Sequence, residues 1–514
     1  MAKRYRLSAS GLGVTIALGI TVAIFALNGC SESETQKAAN RINEGKELSK
    51  KYCAGCHKYP GPELLDKTTW EKGVLPAMAL QLGLQREMGM LYADRSSVID
   101  VDTYNKIVEF YKSGAPDTLA LPKATAQKDW AMFTLKRPNK VDRNTPAMTT
   151  MIRFNAFDGH IYTGDMSNKL LAWDSKLNAK LVRSTPSAVT AANFYQDKGK
   201  SKSVFTCIGE LPPNDYLKGA LLDVSLSSTD TSSKRLADKL PRPVNTVAAD
   251  FNKDGLTDYV ICGYGNTKGA LMLVQQRAGG GYDTRVVRAM PGAIQAEVGD
   301  YNNDGWPDVM CLFAQGDEGI WMFLNNKKGG FTAKNLLRFP PVYGSNSFQL
   351  VDMNNDGKKD LIYTCGDNND YSSILKPYHG VYIFTNKGGW DFKQAYFYHI
   401  NGASKAMAAD FDSDGDMDIA VTAFFADFKY HPTEGFILME QANANSFKAH
   451  EIPVNKYGRW LVMDVADVDN DGDPDVLLGN FSVFGDRLIN QKGYKPEWDM
   501  HEPVIMLENS THKK

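Results

Sequence analysis

A nine-residue acidic motif occurs five times in the second half of this 514-residue chain. Its copies begin at residues 250, 300, 352, 410 and 467, which are 50, 52, 58 and 57 residues apart. Each copy has aspartate at positions 1, 5 and 9, aspartate or asparagine at position 3, and glycine at position 6. Repeats of about this length are typical of propellers and of arrays of stacked units. The regular recurrence of this motif therefore restricts the second half of the chain to a repeat architecture.

The spacing of oxygen-bearing side chains in the motif suits a calcium ion. Oxygens at positions 1, 3 and 5 of a tight loop converge on one point, and glycine at 6 permits the sharp turn. A backbone carbonyl at position 7 and the carboxylate at position 9 can complete the shell. The alternative is an Asp/Gly-rich turn without an ion, and magnesium fits less well because it prefers tight octahedral geometry.

Three or four carboxylates packed into each of five loops would repel one another without a cation. We therefore expect calcium in most of the loops, with up to five ions in total. The predicted ligands are Asp250, Asn252, Asp254, Asp258, Asp300, Asn302, Asp304, Asp308, Asp352, Asn354, Asp356, Asp360, Asp410, Asp412, Asp414, Asp418, Asp467, Asp469, Asp471 and Asp475.

These stretches resemble FG-GAP or VCBS repeats, as in the propeller of integrin α-subunits. The resemblance covers residues 250–475 strongly and the flanking sequence weakly. It implies an all-β propeller built from four-stranded units. In the first copy the strands are expected near Thr246–Asp250, Asp258–Cys262, Ala270–Gln275 and Asp283–Val287.

The number of units predicts how the ring closes. Two weaker units, near residues 150–183 and 191–225, precede the five acidic copies, which predicts seven blades and leaves six or eight as alternatives. The last unit ends near residues 503–508, and too little follows to form its fourth strand. Residues 130–137 have the character of that strand. We therefore expect them to complete the last blade, which hides the sheet edges that a linear array would expose.

A C-x-x-C-H motif at residues 53–57 carries different chemistry. The thiols of Cys53 and Cys56 can add across the two vinyl groups of a haem, and His57 is placed to ligate its iron. A thioredoxin-like pair would need a βαβ context, which is absent, and a zinc half-site would need a second pair nearby, whereas the next cysteine is Cys207. The motif therefore predicts one covalently bound haem c.

The sequence around the motif resembles class I c-type cytochromes. Residues 40–52 are helical in pattern and lead into the motif. Residues 102–112 have the apolar spacing of an amphipathic helix, for which Asp102 is the expected N-cap. A helix that carries the motif, followed by a closing helix, implies a small all-α cytochrome c domain that encloses the porphyrin.

The second axial ligand of this haem is expected to be a methionine. No second histidine occurs before His160, so two histidine ligands within this domain are excluded. Met78 lies in a W-x-x-x-V-L-P-x-M stretch that resembles a subgroup of these cytochromes, and it is the preferred ligand. Met88 and Met90 stand before the last helix and are the alternatives.

The first thirty residues resemble the export signal of a bacterial lipoprotein. A basic start is followed by the uncharged residues 11–27, a stretch at the lower limit of what can cross a bilayer. The stretch ends in Leu-Asn-Gly-Cys30, which resembles a lipobox whose cysteine is acylated. A plain secretory signal and an uncleaved anchor are the alternatives. No aspartate follows Cys30, which favours the outer membrane of a Gram-negative-type cell envelope, on its periplasmic or its outer face.

The expected organisation is a small all-α cytochrome c domain followed by an all-β propeller. The predicted segments are a signal peptide at 1–29, a tether at 30–39, the cytochrome domain at 40–115, a linker at 116–129, and the propeller with its calcium loops at 130–514. Four cysteines remain in the propeller, and we expect them to be buried thiols, with a disulfide or a second metal site as the alternative. These are Cys207, Cys262, Cys311 and Cys365.

Together these patterns predict a membrane-anchored, extracytoplasmic cytochrome that transfers single electrons, with the propeller as a docking or scaffold module. Its expected partners are other redox proteins, the membrane through the lipid anchor, and a membrane protein complex. The formal net charge of −2 gives no electrostatic case for nucleic acid. The alternatives are an oxidoreductase with its substrate site on the propeller and a surface binding or adhesion protein with an accessory haem. No nucleophile elbow, dinucleotide fingerprint or P-loop occurs, and no catalytic residue is predicted.

Overall fold

The computed structural model describes residues 33–123, 125–227, 230, 232–368, 373–443, 446–483 and 494–513. The predicted signal peptide and the lipidation site at Cys30 lie outside these residues. Within the described ranges, no helix is both long and apolar enough to cross a membrane. The chain forms two compact units. Among the described residues, one unit contains those before Tyr52 together with Met78–Gly114, and the other contains Tyr52–Ala77 together with those from Ala115 onward.

The helices of the described chain lie mostly before residue 115. They are α1 (Glu34–Cys53), α2 (Lys67–Thr69), α3 (Leu75–Gln81) and α4 (Val101–Gly114). A short hairpin, β1 (Gln85–Glu87) and β2 (Met90–Tyr92), precedes α4. Single 3-10 turns occur at Pro62–Leu64, Pro432–Gly435 and Thr511–Lys513.

In the first unit, α1 and α4 approach each other closely at Gly45. A Cβ atom at this position would lie 2.0 Å from the carbonyl oxygen of Lys106, so the contact requires glycine. Arg41 of α1 pairs with Glu109 at 2.8 Å and with Asp102 at 2.9 Å, both on α4. The predicted helix before the C-x-x-C-H motif and the predicted helix after it therefore form and pack together in this unit.

The predicted N-cap of α4 was wrong by two residues. The Thr103 amide donates to Oδ1 of Asp100 at 2.7 Å, and the Thr103 hydroxyl donates to Oδ2 of Asp100 at 3.0 Å. Asp102 already lies in the first turn, where it pairs with Lys106 at 3.0 Å. Asp100 and Asp102 both suit a helix start, and the apolar spacing does not distinguish them.

A widened turn at Trp70–Val74 joins α2 to α3. The Leu75 amide donates to the Trp70 carbonyl, five residues back, which makes this a π turn. Pro76 accounts for it, because proline has no amide hydrogen and its ring would clash with the carbonyl four residues earlier. The buried Trp70 indole donates to the Pro62 carbonyl at 2.8 Å and holds the turn in place.

In the described residues of the second unit, seven sheets are named blades A to G in chain order, and their strands pair antiparallel apart from one strand added to blade F. The strands of blades A to D are β5 (Thr149–Asn155), β6 (His160–Asp165), β7 (Lys169–Trp173), β8 (Ala179–Ser184), β9 (Val189–Asp197), β10 (Lys200–Cys207), β11 (Gly219–Val224), β12 (Ser233–Leu240), β13 (Pro243–Ala249), β14 (Asp258–Gly263), β15 (Ala270–Gln276), β16 (Tyr282–Arg288), β17 (Ala293–Gly299), β18 (Asp308–Phe313), β19 (Gly319–Asn325) and β20 (Phe331–Arg338).

The remaining blades follow the same order. Their strands are β21 (Ser345–Val351), β22 (Asp360–Cys365), β23 (Gly380–Asn386) and β24 (Phe392–His399) in blade E, β25 (Ala403–Ala409), β26 (Asp418–Ala423), β27 (Phe436–Asn443) and β28 (Ser446–Glu451) in blade F, and β29 (Trp460–Ala466), β30 (Asp475–Asn480) and β31 (Val504–Asn509) in blade G. Two earlier strands, β3 (Gln127–Lys128) and β4 (Phe133–Lys136), join blades F and G.

The predicted ring closure is confirmed. Strand β4 pairs antiparallel with β31, with Lys136 opposite Met506 and Phe133 opposite Asn509, so an N-terminal strand completes the last blade. Strand β3 adds in parallel to β28 as an outer strand of blade F, which the sequence did not predict. The count of seven blades is confirmed as well.

Blade B is more complete than expected. The sequence predicted three of its strands, and the structure adds β12 (Ser233–Leu240) as the fourth. Most of its residues are polar or basic and exposed, because this strand is the outer edge of its sheet. It therefore lacks the alternation of apolar residues that identifies a half-buried strand.

The first strands of neighbouring blades lie side by side around the axis, and a polar side chain ties each to the next. A side chain from the first strand of one blade forms a hydrogen bond with the backbone of the first strand of the next blade, and such bonds connect all seven blades. The pairs are Thr150–Val189 (2.7 Å), Thr190–Pro243 (3.1 Å), Asn245–Ala296 (3.1 Å), Gln295–Phe348 (2.6 Å), Ser347–Ala406 (3.3 Å), Lys405–Met463 (2.8 Å) and Asp464–Phe154 (2.8 Å). These bonds satisfy backbone groups on strand edges that no other strand covers.

The hydrophobic core lies between adjacent blades. Clusters of aliphatic and aromatic side chains fill each interface, and the four propeller cysteines are fully buried within them. None of the four is in a disulfide, which confirms their prediction as buried thiols. The Sγ atoms of Cys262 and Cys311 are 4.0 Å apart across the interface of blades C and D.

Asp464 closes the ring between the last and first blades, so its loss should be costly. Its carboxylate accepts from the Phe154 amide and from Arg153, each at 2.8 Å. We expect Asp464→Ala to lower the free energy of unfolding by about 1–3 kcal/mol, because the half-buried Phe154 amide loses its acceptor. Chemical denaturation measures this change.

Arg153→Met is the matched control, because it removes the ion pair and keeps the backbone bond. The Arg153 side chain is 50% exposed, so this change should cost less than about 1 kcal/mol. Equal losses in the two variants would contradict the role assigned to the backbone bond.

Candidate functional sites

The five acidic loops occupy equivalent positions in blades C to G. Each connects the first strand of a blade to its second, so all five lie at the same end of the propeller. Neighbouring loops also touch. The Lys253 ammonium lies 4.9 Å from the centre of the Trp306 ring in the next loop, and the Asn355 amide donates to Asp416 at 3.3 Å.

The backbone of each loop is folded around the aspartate at position 1. In the first loop, Asp250 accepts from the Asp254 amide at 3.1 Å and from the Gly255 amide at 2.8 Å. The same two bonds recur in the other four loops. Glycine at position 6 has φ between 78° and 95°, as the spacing predicts. The residue at position 4 is also left-handed, with φ between 55° and 63°, although it is never glycine.

The aspartate at position 9 is buried and holds the loop to its blade. Asp418 illustrates this. One of its carboxylate oxygens accepts from the backbone amide of Phe411 at 3.0 Å, and the other accepts from the backbone amide of Gln441, on the third strand, at 2.7 Å. The equivalent aspartates make the same two bonds and are at most 1% exposed. They are Asp258, Asp308, Asp360 and Asp475.

Burial also affects the charge of these carboxyls. It raises the pKa of Asp258 to about 6 and the pKa of Asp418 and Asp475 to about 7, and the neighbouring loop aspartates act in the same direction. The pKa of Asp308 and the pKa of Asp360 are raised for the same reason. An anion at position 9 is therefore disfavoured as long as no cation lies beside it.

The predicted ligands come together most closely in blades F and G. One carboxylate oxygen from each of Asp410, Asp412 and Asp418 lies within 4.8 Å of the others, and the same holds for Asp467, Asp469 and Asp475. In the first three loops an asparagine stands at position 3. Its amide donates to the position 5 aspartate in two of them, at 2.9 Å and 3.0 Å.

Sequence reasoning missed a set of amides that connects the loops to one another. A side chain at the end of a third strand donates to the position 2 carbonyl of the loop in the preceding blade. The pairs are Asn325–Phe251 (2.8 Å), Gln441–Met353 (3.4 Å) and Asn509–Phe411 (2.7 Å). A signal was present, because an asparagine or glutamine ends the third strand in each of blades C to G.

The C-x-x-C-H motif, for which the sequence predicts a haem, begins at the last residue of α1. Cys53 ends this helix and is half-buried, and Cys56 is exposed. His57 is half-buried, and its Nδ1 donates to the Lys58 carbonyl at 3.0 Å. A carbonyl can only accept, so this bond places the proton on Nδ1 and the lone pair on Nε2. Burial lowers the pKa of His57, which favours the neutral ring that a metal requires.

The three candidate methionines differ in exposure. Met78 is half-buried in α3. Met88 occupies the turn of the β1–β2 hairpin with φ of 48° and is 93% exposed, and Met90 is 70% exposed on β2. Met78 is therefore the one of the three whose environment is closest to that of an enclosed side chain.

Comparison with known proteins agrees with the repeats. The FG-GAP-like repeat matches residues 250–311 and 300–363, which confirms that the chain contains such repeats. No curated protein sequence matches the chain.

Three solved structures are similar in fold at low sequence identity. An ancestral GH74 enzyme is 10% identical with a TM-score of 0.48, over 73% of this chain and 51% of its own, so this chain spans about half the length of that enzyme. The Cps50 (Swd1) β-propeller domain of Myceliophteria thermophila is 11% identical with a TM-score of 0.39, over 63% and 92%. BBS1N, in complex with ARL6DN, is 9% identical with a TM-score of 0.43, over 74% and 98%.

The position 9 aspartate should stabilise its blade even without an ion. We expect Asp418→Ala to lower the free energy of unfolding in the presence of a chelator by about 2–4 kcal/mol, because two backbone amides lose their acceptor. The exposed Asp414 is the control in the same loop, and Asp414→Ala should cost about 0.5 kcal/mol. Denaturant titration compares the two, and similar losses would refute the structural role of position 9.

Proposed function

We propose that this protein is a lipid-anchored, extracytoplasmic c-type cytochrome that passes single electrons to other redox proteins. A calcium-stabilised propeller serves as its docking or scaffold module. The observation that carries the proposal is the C-x-x-C-H motif at the end of α1, with the His57 imidazole already oriented by its bond to Lys58. In haem proteins a second bond of this kind fixes the tautomer and ring orientation of the ligating histidine.

The donor set fits a covalently held haem. Cys53 and Cys56 would form the two thioether links, and Nε2 of His57 would bind the iron. The haem would supply a reversible one-electron iron couple. The chain attaches the group through the thiols, and the Lys58 carbonyl holds the Nδ1 proton so that Nε2 keeps its lone pair.

For the second axial position we propose Met78. A thioether raises the reduction potential relative to a second histidine, which suits a protein that exchanges electrons and performs no chemistry on a substrate. Met88 and Met90 are less suitable because both side chains are largely exposed on the hairpin.

We propose calcium in the acidic loops because their donor atoms are oxygens. Oxygen ligands at positions 1, 3, 5 and 9 suit a hard cation, and the loop backbone is already turned around position 1. A bound divalent ion would offset the repulsion among the carboxylates and the burial of position 9. The five loops lie at one end of the propeller, so the ions would stiffen one face of the module.

The membrane anchor is the part of the proposal that depends on sequence alone. The basic start, the apolar stretch at 11–27 and the acylated Cys30 would hold the mature chain at the outer membrane. A redox protein held in this way meets its electron donor and acceptor at the membrane, either as separate proteins or within a membrane complex.

Haem attachment through the motif is directly testable. Protein produced with a c-type cytochrome maturation system should carry one haem per chain after denaturation, measured by the pyridine haemochrome spectrum. The double variant Cys53→Ala, Cys56→Ala should carry none, because both thioether links are lost. Cys207→Ala removes a thiol elsewhere and should keep the haem. A colourless wild-type protein would refute the proposal.

The ligand assignment has its own measurement. Ferric protein with methionine ligation has a weak near-infrared charge-transfer band. Met78→Ala should abolish this band, and Met90→Ala should keep it. Loss of the band in Met90→Ala alone would transfer the assignment to Met90.

Calcium binding should be visible in both stoichiometry and stability. Isothermal titration should detect up to five ions, and each site should add about 2.7 kcal/mol to the free energy of unfolding at a free calcium concentration of 100 times its Kd. Asp412→Ala should remove one ion. Asp416→Ala loses the same charge at position 7 of that loop, where only the backbone carbonyl is a ligand, and should keep the count. Binding of no calcium by the wild type would refute this part.

A further inference from the structure

A small cavity lies where blades F and G meet, and its volume is about 170 Å³. Its lining residues come from the connection between β26 and β27, from the connection between β28 and β29 with the start of β29, and from the connection between β30 and β31. Strands of an antiparallel blade alternate in direction, so these three connections lie at the end of the propeller opposite the acidic loops. The cavity shares no lining residue with those loops or with the C-x-x-C-H motif.

Aromatic rings form much of the cavity wall. The centre of the Phe428 ring lies 5.0 Å from that of Trp498 and 6.4 Å from that of Tyr494. Trp460 is a further lining residue, and Phe428, Trp460 and Trp498 are at most 5% exposed. An apolar cavity of about 150 Å³ can hold a benzene molecule. The volume and the walls therefore suit a ligand with one ring.

A buried cation lines the same cavity. Arg459 is 1% exposed, and its Nε donates to the Phe424 carbonyl at 2.8 Å. The guanidinium carbon lies 3.8 Å from the centre of the Phe424 ring and 5.6 Å from that of Phe428, which places the charge beside the aromatic wall. Burial lowers the pKa of Arg459 to about 9, so the group stays cationic at neutral pH. A guanidinium in a poorly solvated place attracts anions, and its planar shape matches a carboxylate.

Two indole N–H groups add neutral donors to the lining residues. Nε1 of Trp460 and Nε1 of Trp498 are buried and have no hydrogen-bond partner among the described residues. A buried donor without an acceptor costs free energy, so an oxygen atom that reaches it is bound favourably. Lys429 and Glu497 also line the cavity, but both are exposed and their charges cancel. The buried Arg459 therefore decides which charge of ligand the cavity favours.

We propose that this cavity binds a small organic carboxylate whose apolar body is about the size of one aromatic ring. The carboxylate would accept hydrogen bonds from Arg459 and from the indole N–H groups, and the ring would pack against Phe428 and Tyr494. A neutral molecule of the same shape would fill the cavity without forming the ion pair. The propeller then has a ligand site of its own, and this site does not depend on the proposed haem or calcium.

Isothermal titration of the full-length protein tests this with benzoate and with benzamide, a neutral probe of the same shape. Benzoate should bind at one site at least about tenfold more tightly than benzamide, because charge-assisted hydrogen bonds are the stronger ones. Arg459→Met should remove most of this preference. Trp498→Phe keeps an aromatic ring, removes one donor and should weaken benzoate binding by about threefold or more. Trp306→Phe alters an acidic loop at the other end of the propeller and is the control that should bind as the wild type does.

The outcomes that would overturn the inference are distinct. They are no binding of benzoate, equal affinities for benzoate and benzamide, and wild-type affinity for benzoate in either Arg459→Met or Trp498→Phe. Circular dichroism shows whether each variant is folded. If Arg459→Met does not fold, the comparison of the two probes and the Trp498→Phe variant decide.

Discussion

Each innermost strand of the propeller bonds through one polar side chain to the backbone of the next innermost strand, and these contacts run through all seven blades. The constraint is general, because the inner strands leave unpaired backbone groups around the axis and such groups need partners when they are buried. The closing contact, from Asp464 to Phe154, joins the last blade to the first, and β4 joins them a second time at the outer edge. The acidic loops follow directly after these inner strands, so the arrangement of the strands around the axis fixes the positions of the loops.

The acidic loops have two roles that the repeated motif does not distinguish: one aspartate anchors the loop to its blade, and the others shape the loop. Position 9 is a structural anchor, because its two oxygens accept one amide from the loop and one from the third strand. In blade F, Asp410 and Asp412 at positions 1 and 3 accept from the backbone amide at position 5. One oxygen from each of these two aspartates and one from position 9 lie within 4.8 Å of one another. In the proposed function the cation binds to a loop that the blade has already shaped, which reduces the conformational entropy that binding must overcome.

The segment that carries the C-x-x-C-H motif groups with the propeller in one compact unit. The segment after α1 belongs to the propeller unit, and its Leu64 carbonyl accepts a hydrogen bond from the Tyr378 hydroxyl of blade E at 3.0 Å. In the proposed function, the residues that would attach the haem therefore lie on a segment that the propeller itself holds.

The sequence by itself determined the repeat, the seven blades, the closing strand and the loop positions, because these follow from local periodicity, glycine placement and the length left over after the last unit. It also located the two helices before and after the C-x-x-C-H motif, although it placed the N-cap of the second helix at Asp102 and the structure has it at Asp100. Only the tertiary structure decided which side chains tie one blade to the next, since Thr150, Gln295 and Lys405 share no residue type and become equivalent only around a common axis. The same reason applies to the contact between residues 53–77 and blades D and E, because residues hundreds of positions apart meet only once the ring has closed.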